Sequence, residues 1–376
     1  MNLHAITETI DRALTAAGLT AEAPRLGSIR TTIDDALAVA GLTPGPAPRA
    51  PAPARPAPAG SDAASGFSVI DTDGRTIEAP PRPGTGSFVK ARHTGAQGSL
   101  DYKLYLPAGH DEKPMPLIVM LHGCTQDPDD FAAGTRMNEL AERHGFLVAY
   151  PEQTARANGA RCWNWFEPAQ QGRDGREPAL IAGMVGAIAE QHAVEPGRVF
   201  VAGLSAGAAM AVLLGRNHPE LFAGVAAHSG LPAGIAHDVP SAFAAMKGRR
   251  AKLPATPTPR GPAREGVPTI VFHGDADTTV VIANGKTIAR DAVAAFEGQQ
   301  GAPLERVLRV ETPATARRRC TTTEFADESG RTVVEEWVIH GGEHAWAGGS
   351  AAGSYTDVSG PDASAEIVRF FLQLQR

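Results

Sequence analysis

Apolar residues follow two kinds of pattern along this chain. Near the N-terminus, Ile6, Ile10, Leu14 and Ala17, and again Ile29, Ile33, Leu37 and Ala40, recur at i, i+4, i+8 and i+11. That spacing puts four side chains on one stripe of a helix. The two copies are related by a period of 23 residues, and each ends on a glycine, Gly18 or Gly41, of the kind that closes helices. The pattern predicts a two-helix N-terminal segment over 1–43. Two short helices bury little alone, so they are expected to dock on the rest of the chain, on a polymer surface or on a partner. Residues 44–62 are then dominated by alternating Pro and Ala. Proline removes donors and favours extended polyproline II, so this stretch reads as a semi-rigid linker.

From about residue 85 the second pattern takes over. Short apolar runs at 117–121, 146–150, 199–202 and 269–272 read as buried parallel strands, and 333–339 as a longer strand. Helical stretches fall between or after them, near 129–144, 179–193, 206–216, 281–296 and 362–375. Alternation of this kind predicts an α/β fold: a mostly parallel sheet with helices on both faces, filling 63–376. Residues 250–266, rich in Pro, Arg and Thr, read as a surface insertion.

The 376 residues carry a formal net charge of −6. That balance argues against nucleic acid as a partner, since phosphate binding needs a basic face. No apolar run reaches the roughly 18 residues of a membrane span. The first residues, with His4, Glu8, Asp11 and Arg12, lack the basic-then-apolar order of a secretory signal, which points to the cytoplasm. Three cysteines, Cys124, Cys162 and Cys320, show no metal-ligand spacing, so no metal site is expected.

Chemistry enters at Gly203-Leu204-Ser205-Ala206-Gly207. This G-x-S-x-G sequence ends a strand and opens a helical run, the context in which a tight turn lifts a serine hydroxyl above a sheet. A serine needs a base, and in an α/β-hydrolase fold the partners follow in the order acid, then histidine. His344, in the glycine-rich loop after the 333–339 strand, is the base candidate, with His340 still in the strand. Asp275 and Asp277 compete for the acid position after the 269–272 strand; Asp277 leads into the next helix and fits better. An oxyanion hole requires the N–H of Ala206 and a second donor from the 121–126 loop, Cys124 first and Thr125 next. Ser229, followed by Gly-Leu-Pro rather than by a helix, lacks the elbow context.

Leu121-His122-Gly123-Cys124-Thr125-Gln126, Cys162-Trp163-Asn164-Trp165, the Ser205 elbow, His273-Gly274-x-x-Asp277 and His344-x-Trp346 together resemble the poly(3-hydroxybutyrate) depolymerase-type esterases, relatives of feruloyl and acetylxylan esterases. The resemblance covers about 85–376. It implies cofactor-free hydrolysis of carboxylic esters, of polyester or short acyl type, and favours Asp277 over Asp275. It also implies a Cys124–Cys162 disulfide beside the oxyanion loop and an extracellular setting. Trp163, Trp165 and Trp346 read either as core or as a flat lining for an ester groove, with Trp346 the better candidate for substrate contact. A feruloyl or acetylxylan esterase, and a hydrolase fold kept only for binding, are the competing readings.

Overall fold

The computed structural model describes residues 86–374 apart from 112, 250–265 and 312–316, together with a short antiparallel pair, β1 (Val69–Ile70) and β2 (Thr76–Ile77). The N-terminal helical repeat, the Pro/Ala linker and the insertion expected at 250–266, save its last residue, lie outside these residues.

Five strands build the centre of one ten-stranded sheet: β5 (Met115–Leu121), β6 (Leu147–Pro151), β7 (Val194–Leu204), β8 (Gly224–His228) and β9 (Thr269–Gly274). They pair in parallel in the order β6-β5-β7-β8-β9, and β12 (Thr332–Ile339) adds a sixth parallel strand beside β9. Every residue of β5, β6, β8 and β9 is buried. That is why they lack polar alternation: both faces of a parallel sheet are covered. Leu117, Val119 and Leu121 of β5 join one core, Ile118 and Met120 the other. The first core is closed by α3 (Arg176–Gln191) and α4 (Ala206–Asn217); the second by α1 (Pro128–Thr135), α2 (Met137–His144) and α7 (Ala363–Gln373). The remaining helices are α5 (Val239–Met246) and α6 (Ala283–Gln300).

Antiparallel strands flank this centre. β3 (Ser87–Gly95) and β4 (Gly98–Leu106) form a hairpin outside β6, and β10 (Glu305–Glu311) and β11 (Cys320–Ala326) extend the sheet beyond β12. β4 buries Leu100, Tyr102, Leu104 and Leu106 and leaves the residues between them half-exposed, the period of two expected near a sheet edge.

Two expectations are corrected. The single helix near 129–144 is two helices, because Arg136 takes a left-handed conformation (φ 53°) that ends one and starts the next. Its guanidinium bonds Asp362 and the carbonyl of Gly348, anchoring the break to the C-terminal region. His340 lies just past β12 rather than in it, turned onto Asp275.

Candidate active site

The site is assembled at the C-terminal ends of neighbouring strands. β7 runs into α4 through Ser205 with no intervening loop. The turn has room only for glycine on either side. A Cβ on Gly203 would lie 2.4 Å from the carbonyl carbon of Gly207, and one on Gly207 would lie 2.1 Å from Leu121 O. Ser205 sits at φ 57°, ψ −116°, a conformation a side-chain-bearing residue rarely adopts. Its N–H donates to His228 O of β8 (2.9 Å), and its side chain makes no capping bond to the helix it begins. The hydroxyl is therefore not spent on the backbone. Helix geometry also leaves the first amides of α4, Ala206 among them, without an intrahelical acceptor.

The loops after β9 and β12 interlock. A Cβ on Gly274 would meet Gly342 O at 2.1 Å, and the amides of Asp275 and Ala276 donate to Ile339 O and Gly342 O. This brings the two aspartates to different partners. Asp275 accepts from His340 Nδ1 (2.9 Å) and from the Gly341 amide (2.6 Å), at the surface. Asp277 has a fully buried side chain and lies 2.7 Å from His344 Nδ1, while its other oxygen accepts from the Thr279 and Val280 amides. Burial alone would raise the Asp277 pKa; the bonds from His273, His344 and Val280 outweigh it and hold the carboxyl well below its ordinary range. An ionised Asp277 can only accept, so Nδ1 of His344 carries the proton. In a neutral imidazole that leaves Nε2 as the free base nitrogen.

His273, which sequence reasoning quoted only as part of a motif, braces the same aspartate. Its Nε2 lies 2.7 Å from Val280 O and 3.5 Å from Asp277 Oδ2. His228, on the strand between β7 and β9, accepts the Ala347 amide at Nε2 (3.0 Å) and stacks on Trp346 and Phe272. Burial pushes its pKa down to about 3, so the ring stays neutral and the bond persists. The His344 loop is thereby tied back toward the strand that also holds the Ser205 amide. Ser229 is fully buried and lies 3.1 Å from His228 Nδ1, away from solvent.

The loop after β5 lies against the elbow, with a Cβ on Gly123 reaching 3.6 Å from Leu204 O. The Gly123 amide donates to Gln126 Oε1 (2.9 Å), and the Thr125 amide to Ala160 O (2.7 Å). The N–H of Thr125 is therefore engaged, whereas Cys124 N–H has no acceptor among the described residues. Cys124 and Cys162 are joined by a disulfide (Cα–Cα 4.2 Å), and Cys320 is buried. Around Cys162, buried Glu177 accepts from the Asn164 amide, Asn164 Nδ2 and Gln153 Nε2. The disulfide closes a sequence separation of 38 residues, so removing it should cost about 3–4 kcal/mol by loop entropy. The Cys124→Ala/Cys162→Ala double variant should melt lower than the wild type. An unchanged melting temperature would show that the bridge is dispensable to stability.

Of the two readings of the tryptophans, burial favours the core. Trp163 is fully buried, donates to His122 O (3.2 Å) and packs on the His122 ring; Trp165 packs edge-on against Phe166; Trp346 is sandwiched between His228 and Phe131 and donates to Ser364. All three sit in the core and pack beneath the site loops. Their spacing beside the motif residues reflects that support.

The sheet order, the serine turn and the loop pair define an α/β hydrolase. The architecture aligns with the acetyl xylan esterase from Aspergillus awamori at a TM-score of 0.55, covering 76% of this chain and 99% of that one at 19% identity. The family model "Esterase PHB depolymerase" matches residues 100–302, and the chain belongs to that family. The match includes Ser205 and Asp277 and ends before His344. Among curated relatives, poly(3-hydroxyalkanoate) depolymerase C of Paucimonas lemoignei is 37% identical over 195 residues, which are 50% of this chain and 46% of that protein. Poly(3-hydroxybutyrate) depolymerase of Ralstonia pickettii is 28% identical over 275 residues, 67% of this chain and 53% of that protein. A probable acetylxylan esterase A of Aspergillus fumigatus is 29% identical over 210 residues, 52% of this chain and 55% of that protein. The chain thus spans about half the length of the curated relatives it matches.

Proposed function

We propose that the protein is a serine carboxylesterase acting on polyester of the poly(3-hydroxybutyrate) kind or on short-chain acyl esters. The observation that carries this reading is the His344–Asp277 contact, 2.7 Å at Nδ1, on the loop tied to the strand beside Ser205. Ser205 Oγ attacks the ester carbonyl, and its proton passes to His344 Nε2. Ionised Asp277 holds the Nδ1–H tautomer and balances the imidazolium. The carbonyl oxygen, now negative, is received by the N–H groups of Ala206 and Cys124. Collapse breaks the bond to the alcohol oxygen, which takes the proton back from His344. Water, deprotonated by His344, then cleaves the acyl-enzyme and frees Ser205. No step requires a cofactor.

The polyester reading leans on the names of the relatives above, and the acetylxylan relatives support a second, acetyl-directed one. Turnover of p-nitrophenyl esters from acetate to decanoate, run beside clearing of a poly(3-hydroxybutyrate) film, separates them. Short-ester activity with film clearing is the expected result. Short-ester activity without clearing would transfer the assignment to acetyl or feruloyl esters of polysaccharide. Inertness toward every ester would overturn the hydrolase reading and leave a binding fold.

A further inference from the structure

Tyr355 stands out among the residues around the site. It is an aromatic side chain left 46% exposed, on a backbone held at φ 51°. Glycine or asparagine would occupy that conformation at less cost, and a large exposed ring gains little from packing. The backbone on either side is clamped. The Ser354 amide and hydroxyl both donate to Asp130, and Gln126 Nε2 donates to Ser354 O (3.1 Å). The carbonyl of Tyr355 accepts from the Trp346 amide (2.7 Å), two residues beyond His344.

The hydroxyl reaches the opposite loop, 3.1 Å from Thr125 Oγ1. Thr125 has a single hydroxyl proton, already given to Cys124 O (2.6 Å), so Tyr355 is the donor and Thr125 the acceptor. One side chain therefore spans from the loop that carries His344 to the loop that carries Cys124, with its ring open to solvent between them.

Resting on the esterase reading above, we infer that Tyr355 is a specificity-determining residue whose ring contacts the apolar chain of the ester beyond the reacting carbonyl. The carbonyl oxygen would be received at Cys124 N–H, next to Thr125. One or two residue lengths put the ring roughly 5–10 Å from that point. An acetyl group ends too soon to reach it, whereas a chain of four or more carbons, or the next unit of a polyester, extends across it. The aromatic face offers such a chain a flat, rigid apolar surface at low entropic cost. The aromatic contact expected of Trp346 thus passes to a tyrosine whose backbone is bonded to Trp346.

The test compares wild type with Tyr355→Ala and Tyr355→Phe on p-nitrophenyl acetate and p-nitrophenyl octanoate. In Tyr355→Ala the octanoate-to-acetate ratio of kcat/KM should fall about tenfold, through KM on the octanoate, with acetate turnover nearly unchanged. Tyr355→Phe keeps the ring and loses only the bond to Thr125, so it should keep the wild-type ratio. A Tyr355→Ala variant that loses both substrates in equal proportion, or neither, overturns the proposal and leaves Tyr355 as a latch or a bystander. A wild type inert toward both esters would instead defeat the esterase reading itself, so the two failures are distinct.

Discussion

Replacing Ser205 with alanine should lower ester turnover by about a millionfold while leaving the protein folded, as removal of the nucleophile does in serine hydrolases. The substitution deletes one oxygen and keeps a Cβ, so the turn between Gly203 and Gly207 stays as crowded as before. On the proposed mechanism the amides of Ala206 and Cys124 still receive the oxyanion, so a residual acceleration over water of order a thousandfold should persist. A second variant separates chemistry from strain. Ser205→Gly should be as inactive as Ser205→Ala yet melt higher, because glycine adopts φ 57° freely and relieves about 1–3 kcal/mol. Turnover titrations and melting curves on the three proteins give the answer. Wild-type-like rates in Ser205→Ala would remove the nucleophile assignment, and Ser229, fully buried, could not inherit it.

The second large effect is expected at Asp277. Asp277→Asn should reduce kcat by about ten-thousandfold, with KM little changed, by favouring the wrong tautomer of His344. Asp275→Asn should change kcat no more than a few-fold, since that carboxylate serves His340 and the Gly341 amide at the surface. The pair decides between the two acids that sequence reasoning left in competition. Equal losses in both variants, or a larger one at Asp275, would reverse the assignment. A stability change accompanies the first variant. The folded Asp277 pKa is depressed, so its contribution is complete above the ordinary carboxylate range and is lost as pH falls through the lower folded value. Wild type and Asp277→Asn should thus differ in stability at neutral pH and converge in strong acid.

Much of this was legible in the chain because the buried parallel strands are unbroken apolar runs and the turns after them contain glycines with no alternative. Gly203, Gly207 and Gly274 mark close backbone approaches that a side chain would prevent. The antiparallel flanks were harder. β11, Cys320–Ala326, is rich in threonine, and β10 carries four charged residues in seven, so neither resembles a core strand. The β3–β4 hairpin does alternate, at Leu100, Tyr102, Leu104 and Leu106, but polar residues between them interrupt any apolar run. The break at Arg136 was hidden because the left-handed position itself is an arginine, and the nearby Gly134 lies inside the preceding helix. Tryptophan misled because a large ring beside a motif fits a groove and a core equally well on composition, and only burial distinguishes them. Tyr355 carried no signal in one dimension, since its partner, Thr125, lies 230 residues away.

The position of β12 has a consequence for the order of synthesis. It is an interior strand, parallel to β9 on one side and antiparallel to β11 on the other, and His344 follows it, 67 residues after Asp277. A growing chain that has folded as far as β8 already holds the serine turn, with the Ser205 amide on His228 O, before β9 and β12 have been made. On the proposed mechanism, His344 can serve Ser205 only once β12 pairs with β9 and its loop closes over Gly274. On the same reading, a chain cut short before β12 would hold the serine turn without its base and should hydrolyse no ester.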